Sequence, residues 1–77
     1  MDSRELETIA SAAFGTEWKT PLAVELDMTR ESVWRYATGR TPIPEQYKPM
    51  IRKICKRGIE QNLAKLEKAL RLINKAH

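Results

Sequence analysis

KTPLAVELDMTRESVWRYAT, residues Lys19 to Thr38, decides the fold of this chain. Its apolar residues recur at the spacing of two short amphipathic helices around one core; they are Leu22, Leu26, Met28, Val33 and Tyr36. Asp27 and Met28 fall between these helices, where a tight turn needs a left-handed residue, and aspartate tolerates that conformation better than most side chains. Ala23 is small where the helices must approach closely. The stretch predicts a helix, a tight turn and a second helix.

The outer face of the second helix carries the residues that point to function. Thr29 is its expected N-cap and Gly39 its expected stop. With the apolar positions turned inwards, five side chains remain on the outer face: Thr29, Arg30, Glu31, Trp34 and Arg35. Because a major groove about 12 Å wide admits one helix, we expect these five to read base edges. The pattern predicts a helix-turn-helix that binds double-stranded DNA.

The five side chains allow different roles in such a complex. Arg30 and Arg35 could each pair bidentately with guanine, or could each contact only a phosphate. Glu31 could accept from a cytosine amino group, or form an intrahelical ion pair with Arg35 four residues on, which is the expectation for the free protein. Trp34 faces away from the core and could pack on a thymine methyl or a deoxyribose, or fold over to cover the next helix. Trp18 is expected in the core.

Phosphate contacts are expected on both sides of the groove-reading residues. Helix N-termini favour anions, and cations beside a reading helix fix its position on the duplex. The candidates are Lys19, Thr20, Ser32, Arg40, Thr41 and Lys48.

Helices are also predicted on either side of the central stretch, giving an all-α fold of four to five helices without strands. Asp2 is a candidate cap for a helix from about Ser3 to Phe14, which Gly15 would end. The start of the next helix is ambiguous. Thr20 could cap it with Pro21 in first position, or Thr16 could cap a longer helix that includes Trp18; the longer version is preferred.

The C-terminal helix is predicted to run from about Met50 to Ala76, after a short helix that Pro44 can start. From residue 59 its apolar residues follow heptad spacing: Ile59, Leu63, Leu66, Leu70 and Ile73. Residues 1–57 are interpreted as the DNA-binding part and residues 58–77 as a dimerisation part of one folded unit. The alternative is that this stripe folds back on the chain's own first helix.

The amino-acid composition of the chain favours some kinds of function and excludes others. The 77-residue chain has a net charge of +4 and a pI near 9.5, and residues 35–57 hold seven basic residues against one acid. This balance favours a polyanionic partner. One cysteine, Cys55, and one histidine, His77, exclude an internal disulfide and a Cys/His zinc site. We expect no enzymatic activity, cofactor, metal, small-molecule ligand or membrane span, and a cytoplasmic location.

The central residues resemble the helix-turn-helix of the phage repressor and Cro class. The run WRYATGRTPIP, residues 34–44, is similar to a pattern in small phage and prophage regulators: an aromatic near the end of the recognition helix, then Gly-Arg, then Pro-x-Pro. Some short autoregulators of phage operons, including those encoded beside anti-CRISPR genes, have this layout. The resemblance covers Leu6 to Arg57 and implies that Thr29, Arg30, Arg35 and Trp34 read bases.

These observations lead to one functional expectation and two alternatives. The expectation is a homodimeric transcription regulator, acting on a palindromic or near-palindromic operator and repressing a phage or mobile-element operon by promoter occlusion. An antitoxin would bind both DNA and a toxin. A protein-binding adaptor would use the C-terminal helix on another protein and would not bind DNA.

Overall fold

The computed structural model describes residues 1–75, and within them every regular element is helical. Four α-helices occur, α1 (Ser3–Phe14), α2 (Lys19–Leu26), α3 (Arg30–Ala37) and α4 (Lys48–Lys75), with a 3₁₀ turn over Glu45–Tyr47 before α4. The prediction of an all-α chain with a long last helix is confirmed. Ala76 and His77, which the sequence prediction included, lie outside the described residues.

One core joins the four helices. Its largest fully buried side chains are Leu6, Leu22, Val33, Ile51 and Cys55. Met28 and Tyr36, predicted in the core, are partly buried against it, and Trp18 is 3% exposed as expected. α1 packs against α4 along much of its length, while α2 contacts α3 and α4. We call this compact part, residues 1–62, the head, and residues 63–75 of α4 the tail.

The ends of α1 and α3 follow the predicted capping chemistry. The Asp2 side chain accepts from the Glu5 amide at 2.8 Å, and Gly15 ends α1 at φ 85°. Asp27 is left-handed at φ 54°, ψ 49°, which turns the chain between α2 and α3. The Thr29 hydroxyl accepts from the Ser32 amide at 3.1 Å and so caps α3.

The predicted longer version of α2 is wrong. The helix begins at Lys19, and residues 16 and 17 form a turn. Trp18 occupies the N-cap position with φ −73° and ψ −19°. Pro21 then falls in the first turn, where the missing amide has no intrahelical partner to lose. Trp18 reaches the core from the cap position, so its burial does not require a longer helix.

The contact between α1 and α4 extends beyond the predicted boundary at residue 57. Gly58 lies so close to α1 that a Cβ built there would be 3.0 Å from the Ala13 Cβ. The Asn62 side-chain amide donates to the carbonyls of Ala12 at 2.9 Å and Ala13 at 3.0 Å. These bonds satisfy carbonyls at the end of α1 that its own helix leaves unpaired.

The tail extends from the head and does not fold back on α1. Leu63, Leu66, Leu70 and Ile73, which we call the tail stripe, are between 53% and 62% exposed. The alternative of a stripe folded over the first helix is therefore not observed in residues 1–75. Ile59, the first member of the predicted seam, instead lies partly buried against the head core.

Candidate functional site

The five predicted reading residues share one solvent-exposed surface. Thr29, Arg30, Glu31, Trp34 and Arg35 are all exposed. Val33, between them in sequence, is fully buried and fixes which side of α3 faces outwards. The helix thereby places two guanidinium groups, a carboxylate and an indole on its outer side.

Arg35 is held by its neighbour one turn earlier. Its Nη2 lies 3.0 Å from Glu31 Oε1, and both side chains are mostly exposed. This is the intrahelical pair expected for the free protein. Because an exposed pair of this kind contributes only a few tenths of a kcal/mol, an incoming ligand can separate it at small cost. Arg35 is thus pre-positioned on the outer face and remains able to form other hydrogen bonds.

Trp34 is covered by a cation from the segment after α3. Gly39 adopts φ 77°, and the Arg40 amide returns to donate to the Arg35 carbonyl at 3.0 Å. This turn places the Arg40 guanidinium carbon 5.1 Å from the Trp34 ring centroid, in the range of a cation–π contact. Trp34 is 37% exposed, and Arg40 covers one face of its indole.

The remaining polar candidates differ in how available their polar groups are. The Ser32 hydroxyl lies 2.9 Å from the Thr29 hydroxyl, so these two act as one hydrogen-bonded pair at the start of α3. Thr20 is exposed and Thr41 is partly buried. Lys19 places its ammonium 4.8 Å from the Trp18 ring centroid. No side chain within residues 1–75 caps α2, which leaves the first amides of that helix beside Lys19.

Lys48 is the phosphate candidate least ready for that role. Its ammonium forms an ion pair of 2.6 Å with Glu45, and the lysine side chain is 18% exposed. The hydrogen bond and the charge of Lys48 lower the pKa of the Glu45 carboxyl below its ordinary value. Lys48 would have to leave this pair to contact a phosphate.

The one cysteine of the chain lies outside this surface, in the core. Cys55 is 1% exposed, and burial raises the pKa of its thiol to about 11, so the thiolate needed for nucleophilic attack is scarce at neutral pH. Among residues 1–75, no cluster of three His, Cys, Asp or Glu side chains could hold a metal ion. No helix in the same range is long and apolar enough to span a membrane.

Sequence reasoning missed the side chains that attach α4 to the head. Asn62 bonds to α1, and Arg57 on α4 forms an ion pair of 3.3 Å with Glu25 on α2. Each pair joins residues that are far apart in sequence, so no local sequence pattern predicts these contacts. Comparisons with protein families, curated proteins and solved structures find no match to this chain.

Proposed function

We propose that this protein is a sequence-specific double-stranded DNA-binding regulator that acts as a homodimer and represses by promoter occlusion. The observation that carries the proposal is the outer face of α3. Its five polar or aromatic side chains are exposed, while Val33 on the opposite face is completely buried. A left-handed Asp27 joins α2 to α3 in the manner of a helix-turn-helix.

Arg30 and Arg35 supply the sequence-reading chemistry in this proposal. A guanidinium can donate two parallel hydrogen bonds to O6 and N7 of guanine, and each such pair discriminates by about 1–3 kcal/mol. Glu31 supports Arg35 in the free state and can accept from a cytosine amino group when the ion pair opens. Trp34 offers an apolar surface for a thymine methyl group or a deoxyribose.

Phosphate contacts fix the register of the reading helix. Lys19 and the uncapped start of α2 present positive charge and free amides to one strand. We assign Arg40 and Thr41, which follow the end of α3, to phosphates of the other strand. Such contacts contribute equally to binding of every DNA sequence, and they make the affinity for DNA depend steeply on salt concentration.

The first test measures fluorescence anisotropy of a labelled random duplex as salt is raised from about 50 to 200 mM. We expect the protein to bind at low salt and its affinity to fall steeply over this range. Phosphate contacts release counterions from the DNA, and this release is less favourable at higher salt. The adaptor alternative, which the exposed tail stripe and Leu72 support, predicts no binding at either salt. Specific co-purification of a toxin together with DNA binding would favour the antitoxin.

The sharper test selects bound oligonucleotides with the intact protein and with Arg35→Ala. If Arg35 reads guanine, preference should relax at one symmetric pair of positions by about 1–3 kcal/mol, from about five-fold to over a hundred-fold in affinity. Lys68→Ala, on the exposed tail, removes the same charge and should leave the preference unchanged. Equal weakening on every sequence would assign Arg35 to a phosphate instead.

A further inference from the structure

A groove between α1 and α4 continues into the tail stripe. The groove is open to solvent and has a volume of about 450 Å³, with Ile9 on one side and Cys55 and Ile59 on the other. Arg52, Lys56 and Glu60 form its rim. On the heptad spacing of α4, Ile59 belongs to the same side of the helix as the tail stripe. The apolar surface therefore runs from Ile9 on the head to Ile73 on the tail.

We propose that two copies pair through this surface with their α4 helices antiparallel, so that each tail lies in the other copy's groove. Ile59 then lies opposite the partner's Leu70, and Leu63 lies opposite the partner's Leu66. Lys56 lies opposite the partner's Ile73. This geometry rests on the homodimer proposed above and specifies how its two subunits meet.

The extent of apolar burial favours the antiparallel pair over the parallel one. The tail stripe spans eleven residues, or about 15 Å from its first Cα to its last, and a parallel pair would cover only that length. Both grooves would then remain open. The antiparallel pair covers the helix from Lys56 to Ile73, about 25 Å, and buries Ile9 and Ile59 as well.

Charge placement favours the same orientation. A parallel pair extended from the tail into the heads would bring Lys56 against the partner's Lys56, and Arg52 against the partner's Arg52, at seam positions that prefer apolar side chains. In the antiparallel pair both cations approach the C-terminal end of the other α4, which carries partial negative charge. Its like-charge contact, between Glu60 and the partner's Glu67, is solvent-exposed and therefore screened.

The antiparallel pair also sets the distance between the two heads along α4. Its twofold axis passes between residues 64 and 65, and Ile51 in each head lies about 20 Å from it along the helix. The two heads are therefore separated by about 40 Å along α4. Successive major grooves on one side of B-DNA recur at about 34 Å.

Disulfide crosslinking without DNA tests the orientation directly. In a Cys55→Ala background, we prepare Lys56→Cys and Ile73→Cys proteins, whose new thiols lie outside the head core. We expect the mixture to form a disulfide between the two proteins on oxidation, and Ile73→Cys alone to form none. The bond requires Cα atoms within about 7 Å, which the antiparallel pair provides only for the mixture.

Three results would overturn the geometry: crosslinking of Ile73→Cys with itself, a dimer whose mixed thiols do not react, or a monomer at about 100 μM by sedimentation. These readouts are independent of DNA binding. Crosslinking as expected without binding to duplex would refute the proposed regulator and leave this dimer intact.

A second pair of variants tests whether the groove takes part. Ile9→Asp should raise the dissociation constant of the dimer at least ten-fold. Thr8→Asp, which changes the exposed neighbouring residue on α1, should leave the constant unchanged. Circular dichroism establishes that each variant is folded. A folded Ile9→Asp protein that dimerises as tightly as the unaltered chain would exclude the groove from the interface.

Discussion

At the scale of single residues, the turn between α2 and α3 depends on an unfavourable backbone conformation. Asp27 is the one non-glycine residue with positive φ in residues 1–75. The left-handed region costs most residues roughly 1–2 kcal/mol, although aspartate is among the more tolerant. The sequence indicated this conformation because the turn position was clear and the residue type was compatible. The outer-face assignment of α3 was predictable for the same reason, since it needs only local periodicity.

Replacing Asp27 with glycine should therefore stabilise the head. We expect a gain of up to about 1 kcal/mol, reduced by the greater freedom of glycine in the unfolded chain. In a domain of this size that gain raises Tm by about 4–8 °C at fixed protein concentration. Asp27→Ala removes the same charge but keeps a Cβ, so it should not raise Tm. An equal rise in both variants would attribute the effect to charge.

Cys55 gives the stability of the fold a defined dependence on alkaline pH. Burial raises the pKa of the thiol to about 11, whereas an unfolded cysteine titrates near 8.5. The unfolded chain thus loses this proton first as pH rises. The contribution of the Cys55 thiol to the free energy of unfolding is constant below about pH 8. It falls as pH rises further, and it levels off above the pKa of the folded protein.

Urea unfolding between pH 7 and 11 measures this effect. The difference in unfolding free energy between the protein and Cys55→Ala should shrink as pH rises above about 8.5, because only the cysteine protein carries the titrating thiol. A difference independent of pH would show that Cys55 titrates equally in both states.

At the scale of elements, the helices were predictable and their mutual contacts were not. Caps and apolar spacing locate α1, α3 and α4, since these signals are local. The start of α2 was misplaced because the burial of Trp18 was taken to require a helical position. Gly58 looked only like a weak point in α4, yet its missing side chain lets α1 approach. That role depends on Ala13, which is distant in sequence.

Gly58→Ala tests this close approach. Alanine should gain about 1 kcal/mol of helix propensity, but its Cβ would meet Ala13 Cβ at 3.0 Å and the Ala13 carbonyl oxygen at 3.3 Å. We therefore expect no rise in Tm from Gly58→Ala, and a loss of about 1–3 kcal/mol from the larger Gly58→Leu. Adding Gly58→Ala to an Ala13→Gly protein should recover part of the gain. Full stabilisation by Gly58→Ala alone would contradict a tight contact.

At the scale of the whole molecule, the tail determines the elongated shape. The molecule measures 51 × 20 × 19 Å because the tail projects from the head with its apolar stripe in solvent. A large contiguous apolar patch on a protein surface is typical of an interaction site. The heptad pattern indicated the stripe from sequence alone. The sequence did not predict the proposed occupant of this stripe, because the groove that would receive it is formed by residues from two helices.

Leu66→Glu should separate the subunits of the proposed dimer without altering the outer face of α3. Sedimentation should show a monomer at concentrations where the unaltered protein is dimeric, and binding to a selected operator should weaken at least ten-fold. The loss arises because a single head contacts only half of the site. Lys68→Glu, on the outer side of the tail, is the matched control and should stay dimeric. A dimeric Leu66→Glu protein would contradict the assignment of the stripe.

The two tryptophans of this chain can serve as intrinsic fluorescent probes of two different regions. Trp18 is 3% exposed inside the head, whereas Trp34 is 37% exposed beneath Arg40. Their fluorescence should therefore separate by emission wavelength and by access to a dissolved quencher such as iodide. Trp18 follows unfolding, and Trp34 follows whatever displaces Arg40, so an unlabelled sample can distinguish occupancy of the α3 surface from loss of structure.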